Sequence, residues 1–316
     1  MSSPDGITRC PACGAAETNP VGLPASGFDS DEGGRRFHQP AYRIRHCANC
    51  GLYFKSHTIE LSALDDYYQR HDYTVYEHGD RFPTDRFLDR SLSRLADGSR
   101  VLDFGCSTGR ILKEAVSRLA CYGFEPNAEA AAVAAGRGIT MLSEPQLVEH
   151  QRTGFDAIIL ADVYEHLPQP VELFGRLCRL LKPGAWLAVV TGNADAIRDR
   201  DLIAEFWYFR VPAHIVMLSE RHVRWLAGRF GLELATLHHC SHYDRPLAER
   251  LTQHARSAAY AWQRPHRTGA VSGILRRIPI VNRASGWANA PVLDSTRDHV
   301  VAVFRRPARP VVESTS

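Results

Sequence analysis

Apolar positions along this chain switch repeatedly between two patterns: short continuous runs, and a spacing of three to four residues. The runs predict strands buried on both faces, and the wider spacing predicts helices with one apolar side. Residues 101–104 form the first run, followed by helical spacing over 111–119. Residues 121–125 read as a second strand ending in Glu125. Pro126 and Asn127 stop it and open an Ala-rich helix that Gly136 and Gly138 close. Residues 138–142 are a short third strand, and 155–161 a fourth with an almost unbroken apolar run. Pro168 and Pro170 bracket the entry to a helix ending near Leu181, because proline suits a first helical turn. Lys182-Pro183-Gly184 predicts a turn, and 186–190 a fifth strand ending at Thr191-Gly192-Asn193. Five such alternations predict an α/β fold with a doubly wound, mostly parallel sheet. Farther along, Ser219 can cap a helix running to Phe230, with Gly231 as its left-handed stop. Residues 232–237 and 299–304 supply the sixth and seventh strands.

The first strand carries the chemistry. Val101-Leu102-Asp103-Phe104-Gly105-Cys106-Ser107-Thr108-Gly109 ends an apolar run in an acid and turns through two glycines into the helical pattern. This is how an α/β sheet presents its first turn to a nucleotide-like ligand. Gly105 permits the tight turn, and Gly109 lets the next helix pack close. The spacing excludes a dinucleotide. A G-x-G-x-x-G fingerprint aligned on Gly105 would place its outer glycines at Asp103 and Thr108, and an acid beside a pyrophosphate is repelled. Asp103 suits a ligand with a positive ammonium or sulfonium centre. Glu125, twenty residues after Gly105, can accept two hydrogen bonds from a ribose diol.

This stretch resembles motif I of class I S-adenosylmethionine (SAM) dependent methyltransferases. Ser107 stands where the common form has its middle glycine. The order F-D-A-I-I-L-A-D-V-Y-E-H-L-P, then L-K-P-G-A-W-L, resembles the type 11 and type 23 groups of these enzymes. The resemblance covers residues 65–240 and the last strand. It implies a seven-stranded Rossmann-like sheet whose seventh strand is antiparallel and lies between the fifth and sixth. It implies SAM as cofactor, held by Asp103, Gly105, Cys106, Gly109, Glu125 and Pro126, and by Ala161 and Asp162 at the exit of the fourth strand. Ser143 and Glu144 fall where adenine-side residues commonly lie. Tyr67, Tyr68, Tyr73 and Tyr76 cluster ahead of motif I, and Tyr73 is expected to close over the methionine end of the cofactor.

Two C-x-x-C-G knuckles, Cys10-Pro11-Ala12-Cys13-Gly14 and Cys47-Ala48-Asn49-Cys50-Gly51, precede this core. Each places two thiolates on one side of a tight turn, so Cys10, Cys13, Cys47 and Cys50 make a closed tetrahedral set that fits structural zinc. Thirty-three residues separate the knuckles, which leaves residues 20–35 as a loop or flap. The chain starts without an apolar signal segment, so a reducing, cytoplasmic setting is expected and disulfides are not. Cys106, Cys121, Cys178 and Cys240 are expected to be buried small apolar residues. Several sugar and natural-product methyltransferases carry a similar four-cysteine module.

Methyl transfer needs alignment of acceptor and methyl, and often removal of the acceptor's proton. His166 or Glu165, just past the fourth strand, is the expected base, with ordering of the loop as the alternative role. His214, after the aromatic run Phe206-Trp207-Tyr208-Phe209, is the third catalytic candidate and would line the acceptor pocket. The expected acceptor is a small molecule or glycan: a hydroxyl of a sugar, a polysaccharide precursor or a secondary metabolite. C- and N-methylation stay open. A non-catalytic SAM-binding or zinc-ribbon interaction protein, and an RNA or protein methyltransferase, are the alternatives. The inter-knuckle segment lacks a dense basic-aromatic pattern, so nucleic acid is not the expected partner.

Composition adds one asymmetry. The 316 residues, 44% hydrophobic and 23% charged, carry a net charge of +3. Residues 245–310 hold twelve arginines against Glu249, Asp294 and Asp298, a local +9 that leaves about −6 elsewhere. Gly273-Ile274-Leu275-Arg276-Arg277-Ile278-Pro279-Ile280 suits peripheral contact with an anionic membrane or a phosphate-bearing substrate, against a plain solvated face. The expected organisation is a zinc-binding module over 1–60, a SAM-binding core over 61–240, a basic helical insertion with the final strand over 241–306, and a disordered tail over 307–316.

Overall fold

The computed structural model describes residues 6–32, 34–70, 82–263 and 291–308. The N-terminal part is built of strands: β1 (Thr18–Ala25), β2 (Phe28–Glu32), β3 (Arg35–Gln39), β4 (Tyr42–Cys47) and β5 (Tyr53–Lys55). Residues 20–35 are therefore strands and a hairpin, not the expected flap. The reason is cross-strand chemistry. Asp29 lies opposite His38 and Asp31 opposite Arg36 in the antiparallel β2–β3 pair, so the acidic run meets hydrogen-bond donors, including Arg36 on Asp29. Pro20 and Pro24 are tolerated because β1 is the edge strand of its sheet.

The rest is the α/β core. It contains α1 (Leu64–Arg70), α2 (Pro83–Leu92), β6 (Arg100–Phe104), β7 (Ala120–Phe124), α3 (Ala128–Gly136), β8 (Thr140–Met141), α4 (Glu144–Glu149), β9 (Phe155–Ala161), α5 (Pro170–Leu180) and β10 (Leu181–Gly192). It continues with β11 (Val216–Met217), α6 (Glu220–Phe230), β12 (Glu233–Cys240), α7 (Leu247–Gln263) and β13 (His299–Arg305). Seven strands form one sheet in the order β12-β13-β10-β9-β6-β7-β8. β13 runs antiparallel to both β10 and β12, and the remaining pairs are parallel. The order reverses between β6 and β9, which opens a crevice at the carboxyl ends of the strands.

Two elements differ from the sequence expectation. Residues 110–119 are successive turns, with amides bonded three or four residues back, such as Leu112 to Gly109 and Leu119 to Ala115. The apolar spacing still buries Ile111, Leu112 and Leu119. Lys182-Pro183-Gly184, expected as a turn ahead of the fifth strand, lies inside β10. β10 runs through it with a register shift between Leu181, opposite Phe155, and Trp186, opposite Ala157. The predicted stop of α6 holds: Ser219 accepts the His222 amide and Gly231 is left-handed at φ 62°.

β11 pairs with β5, so the four-stranded sheet β1-β4-β5-β11 joins the N-terminal part to the core. Lys55, fully buried, reinforces the junction by donating to the Val211 carbonyl at 2.9 Å and the Pro212 carbonyl at 3.3 Å. Its burial holds the amine well below the usual lysine range. The Tyr42 hydroxyl meets the Ala204 and Phe209 carbonyls at 2.6 and 2.9 Å. No helix among the described residues is long and apolar enough to cross a membrane. α7 carries the arginine-rich stretch only as far as Gln263; Arg276 and Arg277 lie outside the described residues.

Candidate functional site

The turn after β6 requires unusual backbone. Gly105, Ser107 and Gly109 all have left-handed φ, at 78°, 50° and 82°. A Cβ on Gly105 would lie 2.4 Å from Val163 Cγ2, so glycine is fixed there by conformation and by space. The Gly105 and Cys106 amides both donate to the Phe124 carbonyl, which sets the turn beside the end of β7. Glu125 follows and accepts from the Ser107 amide at 2.9 Å and the Asn127 amide at 2.8 Å. Burial raises its pKa against these donors, and each oxygen retains a lone pair for a further hydrogen bond. Asn127 caps α3 and donates to the Tyr68 and Gln69 carbonyls, which brings α1 over the same end of the sheet. The exposed Pro126 offers its carbonyl to Gln69.

Asp103 stands out. Its side chain is 1% exposed, and neither carboxylate oxygen has a hydrogen-bond partner. Burial, with the Glu125 charge added, pushes its pKa up to about 7. A buried carboxylate with no donor is costly unless something positive comes to it. A ligand cation is the natural complement, and the adjacent Glu125 can serve a ribose diol. Cys106 is buried beside them, and its thiol is pushed up by burial and by both acids. Ser143 and Gln146 form a capping box at α4, and Glu144 turns to Arg176. Tyr73 and Tyr76 lie outside the described residues.

The other half of the crevice lies past β9 and β10. Ala161 ends β9, and Asp162 is left-handed at φ 52° with its amide on the Val190 carbonyl. Glu165 is 1% exposed. It accepts the Tyr208 hydroxyl at 2.6 Å and the Thr191 hydroxyl at 2.8 Å. Burial raises its pKa while both donors oppose the rise. Its carbonyl takes the Ile215 amide, which ties the aromatic loop to this turn. His166 Nδ1 faces the Ala213 carbonyl at 3.2 Å, and His214 Nδ1 faces the Tyr208 carbonyl at 2.8 Å. A carbonyl only accepts, so each Nδ1 donates, and His166 Nε2 lies 4.0 Å from Glu165 Oε1. The two rings meet edge to face at 4.7 Å. Burial keeps His214 well below the usual histidine range, and hence neutral. The structure thus brings Glu165, His166 and His214 together.

The four knuckle cysteines also converge. Their sulfur atoms lie within 4.8 Å of one another. Cys10 to Cys50 and Cys13 to Cys47 are both 3.5 Å. Thiolates at ~2.3 Å from one tetrahedral ion stand roughly 3.8 Å apart, so the set fits a metal. Cys10 is drawn below the ordinary thiol range by the Cys50 contact, burial pushes Cys47 up, and the Cys10 contact together with burial pushes Cys50 up. The cluster is linked to the crevice: His222 Nδ1 faces the Cys50 carbonyl at 3.1 Å, and its Nε2 meets the Tyr164 hydroxyl at 2.8 Å.

Sequence reasoning named Tyr208 only within an aromatic run and gave His299 only as the start of a strand. Asp298 and His242 had no role. Their joint position depends on β13 inserting beside β10, which local pattern does not show.

A family model described as a methyltransferase domain matches residues 75–237, just over half of the chain. Among curated proteins, the chain is 33% identical over 106 residues to a ubiquinone biosynthesis O-methyltransferase of Xanthomonas oryzae pv. oryzae, covering 30% of this chain and 44% of the relative. It is 30% identical over 108 residues to one from Burkholderia vietnamiensis, covering 31% and 46%. The chain therefore spans less than half the length of these relatives. Among solved structures it is similar to the N-methyltransferase NodS of Bradyrhizobium japonicum in complex with S-adenosylhomocysteine, at 15% identity and a TM-score of 0.45 over 78% of this chain and 97% of that one. The motif-I turn, the strand order with antiparallel β13 and the family match agree: the chain belongs to the SAM-dependent methyltransferases.

Proposed function

We propose that this enzyme methylates a hydroxyl group, on a sugar, a polysaccharide precursor or a secondary metabolite. One observation carries the reading: His166 and His214 stand beside the strand-end crevice with their Nδ1 atoms on carbonyls and with the Glu165 carboxylate 4.0 Å from His166 Nε2, a histidine–carboxylate grouping that can take up a proton. An amine acceptor is already a nucleophile, whereas a hydroxyl gains most from a base. The curated relatives named as O-methyltransferases support the same choice.

When bound, SAM supplies a methyl group carried on positive sulfur. Asp103, Gly105, Cys106, Gly109, Glu125, Pro126, Ala161 and Asp162 are the residues proposed to hold it, with Asp103 toward its positive charge and Glu125 toward the ribose. His166 Nε2 takes the acceptor proton as the acceptor oxygen gains the methyl. Glu165 is too enclosed by Tyr208 and Thr191 to be that base, and it acts by holding the turn that carries His166. Neutral His214 and the partly exposed Trp207 line the acceptor side. Cys10, Cys13, Cys47 and Cys50 hold structural zinc, which fixes the sheet that ends in β11.

The test is turnover of labelled SAM with nucleotide sugars, glycans and phenolic metabolites, in parallel with amines. Methyl ethers formed by the wild type and lost in His166→Ala, with S-adenosylhomocysteine affinity retained in the variant, are the expected result. Methylated amines and no methyl ethers would refute the proposal.

A further inference from the structure

A second set of metal-type donors lies outside the knuckles. We propose that Asp162, His242 and His299 form a binding site for one divalent first-row transition-metal ion, separate from the four cysteines. The proposal does not depend on the acceptor's identity.

The three residues come from three strand ends: Asp162 follows β9, His242 follows β12, and His299 is the first residue of β13. Asp162 Oδ1, one nitrogen of His242 and one of His299 lie within 4.8 Å of one another. His242 Nδ1 is 3.0 Å from His299 Nε2, and Asp162 Oδ1 is 3.8 Å from that same Nε2. Adjacent ligands at ~2.1 Å from one ion stand roughly 3.0–3.4 Å apart, so the histidine pair already matches and the carboxylate needs a small movement. Two imidazoles and a carboxylate on one side of an ion leave other positions open, and this donor set selects borderline transition metals over magnesium or calcium.

Unmet polar groups mark the place. Asp162 Oδ1, Asp298 Oδ2 and His299 Nδ1 are buried without a hydrogen-bond partner. Asp298 and His299 are both 0% exposed. Asp298 sits where a supporting carboxylate belongs. Its Oδ2 faces His299 Nδ1 at 3.4 Å, and its Oδ1 accepts the His242 amide at 3.1 Å. A carboxylate on that side favours the proton on His299 Nδ1 and leaves Nε2 facing His242 and Asp162, as in the common outer support of a metal-bound histidine. Trp207 stacks on His299 at 6.1 Å, and Phe82 lies 4.8 Å from His242, so apolar rings shield the donors. The neighbouring group of Glu165, His166 and His214 differs. There the carboxylate already holds two hydroxyl donors, and both imidazoles are bonded to carbonyls.

The experiment titrates Co²⁺ into the full chain with its four-cysteine cluster filled by zinc. One further equivalent is expected, with ligand-field absorption and no thiolate charge-transfer band. His242→Ala should weaken this binding by a factor of about a hundred or more, and His214→Ala should leave it unchanged, with circular dichroism confirming the fold. If His242→Ala fails to fold, Asp162→Asn is read in its place, with the same loss expected. The proposal is overturned by no further equivalent, by binding that survives His242→Ala or Asp162→Asn, or by binding lost in His214→Ala.

Discussion

Asp103, on one side of the crevice, has two buried carboxylate oxygens and no donor for either, whereas Glu165, on the other side, has a hydroxyl for each. Both are 1% exposed. The difference teaches how the two halves are built. The half around β6 and β7 is shaped by backbone: left-handed turns, amides on Glu125, and one acid whose partner must come from a ligand. Around Glu165 the half at β9 and β10 is shaped by side chains that satisfy one another, and that turn is preorganised before anything binds. It also hangs on the N-terminal sheet through Lys55, Tyr42, His222 and β11.

The largest effect should come from removing that support. In Cys47→Ser, or after a chelator strips any metal held by the four cysteines, turnover should be lost and the melting temperature should fall. S-adenosylhomocysteine affinity, measured by calorimetry at low temperature, should change far less. Equal loss of both would show that the halves are not separable. Next is the base. His166→Ala should lower kcat by about 10²–10⁴-fold with cofactor affinity unchanged, as steady-state kinetics and calorimetry would show. A loss confined to cofactor affinity would move His166 to the other half. The smallest effect is local. Tyr42→Phe removes the hydroxyl that meets two carbonyls and should cost about 1–3 kcal/mol in denaturant unfolding, with KM for the acceptor rising more than that for SAM.

The same contrast explains what was legible in sequence. Motif I, Glu125 and the knuckles are local in the chain, because turn geometry and metal spacing demand particular residues at fixed offsets. The strands were legible because buried parallel strands read as apolar runs, and β9 is one. Residues 20–35 misled because their Asp-rich composition reads as loop until Arg36 and His38 are known to lie opposite. The acceptor half was legible only in its pieces. Glu165 and His166 were singled out, but the enclosure of Glu165 depends on Thr191 and Tyr208, brought in by β10 and a loop beyond it. His299 gains its neighbours only when β13 inserts beside β10.

The central claim, that Asp103 awaits a cation supplied by the cofactor, has a direct test in pH. Its folded pKa of about 7 lies above the ordinary value of 3.8, so folding without ligand favours the protonated acid. Stability of the free protein should therefore fall as pH rises from about 4 to about 7, and Asp103→Asn should melt higher than wild type at pH 8. A bound cation lowers that pKa, so binding expels a proton below pH 7, and affinity should rise with pH and level off above it. The measurement is calorimetric titration with S-adenosylmethionine, in the absence of acceptor, at pH 6 and pH 8, on wild type and Asp103→Asn. The expected result is binding that tightens toward pH 8 by up to about tenfold in wild type, and weaker, pH-independent binding in the variant. No binding to the folded wild type, or equal affinity and pH dependence in both proteins, would contradict the account.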